Sequence, residues 1–429
     1  MRHRRGTDSV AAVFDVTVVR AGYPALRDGF AYLDGAAGTQ VPQAVTDAIA
    51  DVYRMGIGNV GGAFPASRRA DGIVAEARRA IADLVGGDPG GVVLGPNMTT
   101  LTYRFAYALA RRWRPGDEVV VSRLDHDANV RPWLQVAQRS GATVKWAEIE
   151  PATGELPVEQ YLQLVTERTR LVAVSAASNV LGTRPDVAAI ARIAHSGNAL
   201  TYVDGVHATA HGPVDMASLG ADFYATSAYK WSGPHAGAVV AAPVLLEALQ
   251  PDKLASSPDT VPERFETGTS AFADLAGVVA AVDHLASLDP APGGPRRTRL
   301  IASMTQAEAH EQDLFRWLID GLTAMPHVTL YGRAKRRTPT AYFNVAEQTP
   351  LEVAEELAAR QVNVWNGHNY AWELTGVLGI RESGSAVRAG LVHYNDRSDV
   401  DRLLDGVAAL AKRERSDRTG DRSGRRPVV

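Results

Sequence analysis

From about Tyr32 to Leu288, short apolar runs alternate with helix-length amphipathic stretches, and this alternation narrows the possible folds more than any other feature. Uninterrupted apolar runs suit strands buried on both faces, and the stretches between them suit helices covering a mainly parallel sheet. Candidate strands are Val92–Leu94, Glu118–Val121, Thr143–Trp146, Leu171–Ser175, Leu200–Val203, Phe223–Thr226 and Ala236–Ala241. Asp186–Ala194 shows how a helix fits between two of them. Pro185 and Asp186 suit its start, Val187, Ile190 and Ile193 recur at helical spacing, and Gly197 ends it. The Pro/Gly-rich stretch Asp289–Pro295 breaks the pattern. Beyond it, Leu300–Ala324 reads as a long helix leading into a smaller unit. The expected fold is therefore α/β, with a mainly parallel seven-stranded sheet flanked by helices over residues 31–288 and a smaller α+β domain over 296–412. Residues 1–30 are expected to pack with the smaller domain, and the charged, aperiodic residues 413–429 to be disordered.

With 429 residues, 45% of them hydrophobic, the chain can bury two or three cores. Its formal charge of −3 gives no general attraction for nucleic acid or an anionic membrane, and the basic run Arg333–Arg337 is expected to be a solvated loop. A small molecule is the expected partner. The absence of cysteine excludes disulfides, thiolate metal sites and cysteine nucleophiles. Ala11–Val19 is short and interrupted by Asp15, so neither a signal peptide nor a membrane span is expected, and the expected location is the cytoplasm.

Two residues at successive strand ends carry the chemistry. Leu200–Val203 leads into Asp204, and Lys230 follows 26 residues later, after the run that begins at Phe223. Ligands bind outside the carboxyl ends of strands in such sheets. Of the five lysines, Lys145 lies in a strand-like run, Lys253 in a Pro/Ser loop, Lys335 in the basic cluster and Lys412 near the tail. Lys230 alone sits among hydroxyl-rich, turn-forming residues. An amine and a carboxylate so placed point to pyridoxal phosphate: the amine holds its aldehyde as a Schiff base, and the carboxylate keeps its pyridine nitrogen protonated. Singly, each residue would be an ordinary cap or turn residue, so the weight lies on the constellation. Gly95–Thr100 joins a strand to a helix, so Met98, Thr99 and Thr100 can offer N–H groups and hydroxyls to a phosphate. His126 follows the second candidate strand and can stack on the ring, Asn179 can bond the phenolic oxygen, and His207 lies near the same edge. A metal-dependent hydrolase using His207, His211, His126 and Asp127 is the competing reading. It leaves Lys230 and the threonine loop without a role, so no metal is expected.

Several ordered motifs, from about Tyr32 to Leu410, resemble the class V aminotransferase and cysteine desulfurase family of fold type I pyridoxal phosphate enzymes. They are Tyr32–Ala37, the threonine loop, Asp125–Asn129, Ser178–Asn179, Val203–His207, Ser227–Lys230, Arg264–Thr269 and Val387–Leu391. The resemblance implies Lys230 as Schiff base and proton carrier, Asp204 on the pyridine nitrogen, His126 on the ring, and Ser227 and Tyr229 on the phosphate. It also implies Arg388 as a clamp for the substrate carboxylate, with Asn179, Ala37 and His368 beside it, and a homodimer in which Thr269 reaches the partner's cofactor. Three departures stand out: His207 replaces the usual glutamine, Tyr229 replaces the histidine before the lysine, and Tyr370 falls at or near the usual loop cysteine. The closest resemblance is to the cysteine-desulfurase-like subgroup, which includes natural-product enzymes acting on cysteine S-conjugates.

Without a cysteine, no persulfide can form on this chain. The expected reaction is β-elimination from a cysteine S-conjugate, with Lys230, His126, Asp204 and Tyr370 as the catalytic set. Decarboxylation coupled to oxidative deamination, transamination and epimerisation remain open.

Overall fold

Val119, Val120 and Val121 are all fully buried, because their strand lies inside a sheet covered on both faces. The computed structural model describes residues 14–290 and 293–411. In chain order the strands are β1 (Ala31–Tyr32), β2 (Val92–Gly95), β3 (Glu118–Ser122), β4 (Thr143–Ala147), β5 (Thr169–Ser175), β6 (Leu200–Asp204), β7 (Phe223–Ser227) and β8 (Gly237–Ala241), followed by β9 (Val328–Tyr331), β10 (Thr340–Val345), β11 (Val362–Asn363), β12 (Trp365–Gly367) and β13 (Ala386–Gly390). The main sheet has seven strands in the order β2-β8-β7-β6-β5-β3-β4. β8 is antiparallel to both its neighbours, and all other adjacent pairs are parallel. The seven expected strands are all present, with ends displaced by about two residues at most.

The strand order reverses direction beside β3: the chain passes outward to β4, then returns to the other side of β3 as β5. Such a reversal opens a crevice at the carboxyl ends of the strands. Helices cover both faces. Val92, Val120, Val172 and Val203 pack on one side, and Val93, Val119, Val121 and Leu171 on the other. Neighbouring residues of one strand thus enter opposite cores, as the period of two requires. Side-chain caps set helix starts. Asn97 accepts the Thr100 N–H at the head of the helix Met98–Ala110, and Asp186 accepts that of Ala189 at the head of Val187–Ser196.

Beyond residue 293, an antiparallel sheet in the order β12-β13-β10-β9 has one face against the helices Arg296–Thr323, Pro350–Ala359 and Arg397–Leu410. Phe343 and Val387 pack there with Leu318, Leu357 and Leu403. The opposite face carries Tyr342, which joins the core beneath the main sheet. The long helix starts four residues before the expected Leu300, because Arg296 pairs in its first turn with Glu76, Asp83 and Asp283. Nor is the basic run wholly solvated: Arg337 donates to the Leu181 and Thr340 carbonyls at 2.9 Å each and packs over Phe315. Near the N-terminus, Arg20 reaches the Tyr394 carbonyl and the Asp399 carboxylate, while Tyr23 bonds Ser232, His284 and His393. The expected disordered tail, residues 413–429, lies outside the described residues. Among the described residues no helix is long and apolar enough to cross a membrane.

Candidate active site

The carboxyl ends of β2, β3, β5, β6 and β7 meet around one cavity. Lys230 stands in the short turn after β7, and Asp204 ends the adjacent β6. The Lys230 amine donates to the carbonyls of Ala36 and Ala37 at 2.6 and 2.7 Å. Burial, helped by the charge of Arg388, pushes its pKa down to about 7, with Asp204 and Asp34 opposing the shift. Near neutral pH this lysine is thus partly an uncharged nucleophile, which an exposed lysine is not. Asp204 accepts the Val206 N–H at 2.9 Å, and burial raises its carboxyl to about 6, partly offset by Lys230.

His126 also lines the cavity. Burial lowers its pKa to about 3, so the ring is neutral, and Nδ1 accepts the Ala128 N–H at 3.0 Å, which leaves the proton on Nε2. Met98 and Thr99 line the cavity at the head of the helix Met98–Ala110. Ser227 faces them and accepts the Met98 N–H at 3.0 Å, so its own hydroxyl hydrogen is available to an anion. Thr100 does not join them: its N–H is taken by Asn97, and it does not line the cavity. Tyr229 lies beside Lys230, its ring stacked on His235. His207 lines the cavity too, with Nε2 3.0 Å from the hydroxyls of Thr338 and Thr340.

The antiparallel C-terminal sheet meets the cavity lining at Asn179. Arg388 in β13 is buried and donates to the Asn179 carbonyl at 3.0 Å. Asn179 gives its amide N–H to the Asn369 carbonyl at 2.8 Å, while its Oδ1 is buried in the cavity wall with no partner. As placed, this amide offers an acceptor, whereas a phenolic oxygen anion needs a donor, so the expected contact requires the amide to turn over. The Tyr370 carbonyl accepts the Asp127 N–H at 2.8 Å, and its ring lies 5.3 Å from that of His126. His368 accepts the Tyr370 N–H through Nδ1. Thr269 is elsewhere, exposed on a separate groove with Val60, Arg78 and Glu263.

Two carboxyls were missed from the sequence. Asp34, inside the motif Tyr32–Ala37, is largely buried, its Oδ1 has no partner, and burial raises it to about 6 against the pull of Arg388 and Lys230. Asp125 lies beneath the cavity, bonded to Ser122, Asn129 and Ser175, and burial raises it to about 7. Its position just before His126 was the only available signal. The competing metal reading finds His207 on two threonines and His211 paired with Glu311 at 2.8 Å. No group of three or more potential ligands is assembled among the described residues.

The residues present fit pyridoxal phosphate: an amine with lowered pKa, a buried carboxyl on the next strand, a neutral ring and a helix head share one cavity. The class these features define is the pyridoxal phosphate-dependent enzymes of α/β fold. The chain belongs to the class V aminotransferase family, whose model matches residues 31–403. It is 38% identical over 92% of its length to an uncharacterised Mycobacterium tuberculosis protein, covering 99% of that protein. A probable cysteine desulfurase from Pseudomonas aeruginosa is 35% identical over 90% of this chain and 96% of its own. Among solved structures, the cysteine desulfurase CsdA from Escherichia coli superimposes with a TM-score of 0.83 at 30% identity, covering 94% of this chain and 99% of that one.

Proposed function

We propose that the chain catalyses β-elimination from cysteine S-conjugates, a carbon–sulfur lyase reaction that yields a thiol, pyruvate and ammonia with uptake of one water. The observation that carries this reading is the absence of cysteine from all 429 residues in a chain so similar to cysteine desulfurases. Removing sulfur as a sulfane atom needs a thiolate acceptor, and this chain has none. A conjugate whose sulfur already bears a substituent needs no acceptor.

Pyridoxal phosphate, when bound, supplies an aldehyde carbon for covalent attachment and a ring that draws electrons from the substrate's α-carbon. Lys230 is its anchor, with Met98, Thr99, Ser227 and Tyr229 toward the phosphate, His126 on the ring face and Asp204 at the pyridine nitrogen. Arg388 holds the substrate carboxylate, for which a planar guanidinium offers two parallel donors. The freed Lys230 Nζ takes the proton from the substrate's α-carbon, and the Ala36 and Ala37 carbonyls steady the ammonium that results. Tyr370, whose ring lies beside His126, delivers a proton to the departing sulfur, a role open to a phenol. The enzyme works as a homodimer, with Thr269 reaching the partner's site.

The test is to incubate the enzyme with S-substituted cysteines and identify products by mass spectrometry. Pyruvate with the free substituted thiol is the expected outcome. A decarboxylated aldehyde, or a keto acid that keeps its sulfur, would replace this reading with oxidative decarboxylation or transamination.

A further inference from the structure

Three large rings stay exposed between residues 365 and 372, a segment whose loop touches His126 and Asn179 of the cavity lining. Trp365 is 51% exposed, Tyr370 67% and Trp372 42%. Single exposed aromatics are ordinary, but neighbouring ones on a well-anchored segment mark a surface that something covers. The Arg381 guanidinium lies 4.3 Å over the Trp372 ring, so Trp365 and Tyr370 are the open ones, and the backbone of the segment is held firmly. The Asn369 carbonyl accepts from Asn179, that of Tyr370 from Asp127, and Glu373 pairs with Arg123 and Arg131. Asn369 and Tyr370 both have positive φ, 49° and 59°, a conformation that non-glycine residues keep only when their surroundings impose it.

Sheet register shows where the rings face. Trp365 is directly opposite Arg388 in the β12–β13 ladder, so both side chains project from the same face. That face is the one from which Arg388 reaches Asn179 in the cavity wall. β12 is the edge strand, which leaves Trp365 open beside the buried guanidinium. Tyr370 lies against His126, and His368 stands edge-on to both Tyr370 and Trp372 at 6.1 and 5.4 Å. A substrate held by its carboxylate on Arg388 and by its amine near Lys230 must direct its side chain outward past these rings.

We propose that this aromatic rim selects substrates whose sulfur carries an aromatic or other extended apolar substituent, in preference to small S-alkyl groups. The inference rests on the elimination reading for its substrate class. Ring stacking of the substituent on Trp365 and Tyr370 supplies the selectivity.

The test compares S-benzyl-L-cysteine with S-methyl-L-cysteine on the holoenzyme, and adds a binding readout that needs no turnover. The expected kcat/KM ratio is roughly tenfold or more in favour of the benzyl substrate. In Trp365→Ala the ratio falls toward one, with the loss on the benzyl side, and Trp365→Phe keeps most of it. S-(2,4-dinitrophenyl)-L-cysteine is expected to quench tryptophan emission saturably, with affinity weakened in Trp365→Ala. Equal kcat/KM values for the two substrates, or equal losses on both in Trp365→Ala, would overturn the proposal. If neither conjugate is eliminated but quenching still depends on Trp365, the rim stands and the elimination reading falls. Quenching indifferent to Trp365 overturns the rim.

Discussion

Lys230 and Arg388 hold their positions through different physics, so their replacement should be read out differently. Lys230→Ala removes an amine that bonds two carbonyls but fills no core volume. Turnover is expected to fall by at least roughly a thousandfold with thermal stability retained, as steady-state kinetics and a melting curve will show. Arg388→Lys keeps the charge and loses the planar fork, so KM for the amino acid should rise about tenfold or more while kcat changes less. A pH effect follows from burial. Lys230 titrates at about 7, and only its neutral form attacks an aldehyde. The rate at which the apo-protein captures pyridoxal phosphate, followed by absorbance, should therefore rise with pH, pass half of its plateau at about 7 and level off above that. An exposed lysine would keep gaining up to pH ~10.4.

At the scale of elements, the cofactor site depends on how closely β8 approaches the turn before the helix Met98–Ala110. A Cβ built on Gly237 would lie 2.5 Å from the Asn97 carbonyl carbon and 2.7 Å from the Met98 nitrogen, both backbone atoms that cannot swing aside. Gly237→Ala must then push the helix head away from β8. The expected cost is about 1–3 kcal/mol of stability, with weaker retention of pyridoxal phosphate, because the displaced groups include the Met98 N–H bonded to Ser227. Thermal melting and cofactor titration of the same variant check both halves. Strand pairing explains the C-terminal side of the site. Register in β10, β13 and β12 puts Tyr342, Arg388 and Trp365 in one row, so the clamp and the rim ring share a single rigid ladder.

For the whole molecule we propose a large domain over 31–288 and a small one over 296–412, working as a dimer with shared sites. Thr269 stands exposed on a groove apart from the cavity of its own chain, so a contact with a phosphate must come from a second copy. Light scattering should give twice the mass of one chain. Hybrids refolded from Lys230→Ala and Thr269→Asp subunits should regain activity that neither parent has, because one of the two sites then combines an intact lysine with an intact threonine. Hybrids as inactive as the parents would mean that each site is built from one chain.

The strands of the main sheet were legible because strands buried on both faces need uninterrupted apolar runs, and Val119–Val121 or Leu171–Val174 carry that requirement in their composition. Lys230 and Asp204 were legible for a related reason: a polar residue ending such a run has to meet either solvent or a ligand. What the sequence left undecided depends on distant contacts and desolvation. The acceptors of Lys230 are backbone carbonyls 193 and 194 residues away, and a carbonyl carries no residue-specific signal. Asp34 and Asp125 are ordinary letters until burial raises their pKa values. Arg337 reads as solvated until Phe315 and the Leu181 carbonyl close around it. Tyr370 and Trp365 read equally well as core or mouth, and only the register of β12 on β13 and the pinned loop beyond it turned them outward. Local composition determined which segments are strands and which residues can do chemistry, while only the tertiary structure decided which of those groups share a low-dielectric cavity and which rings are left for a ligand to cover.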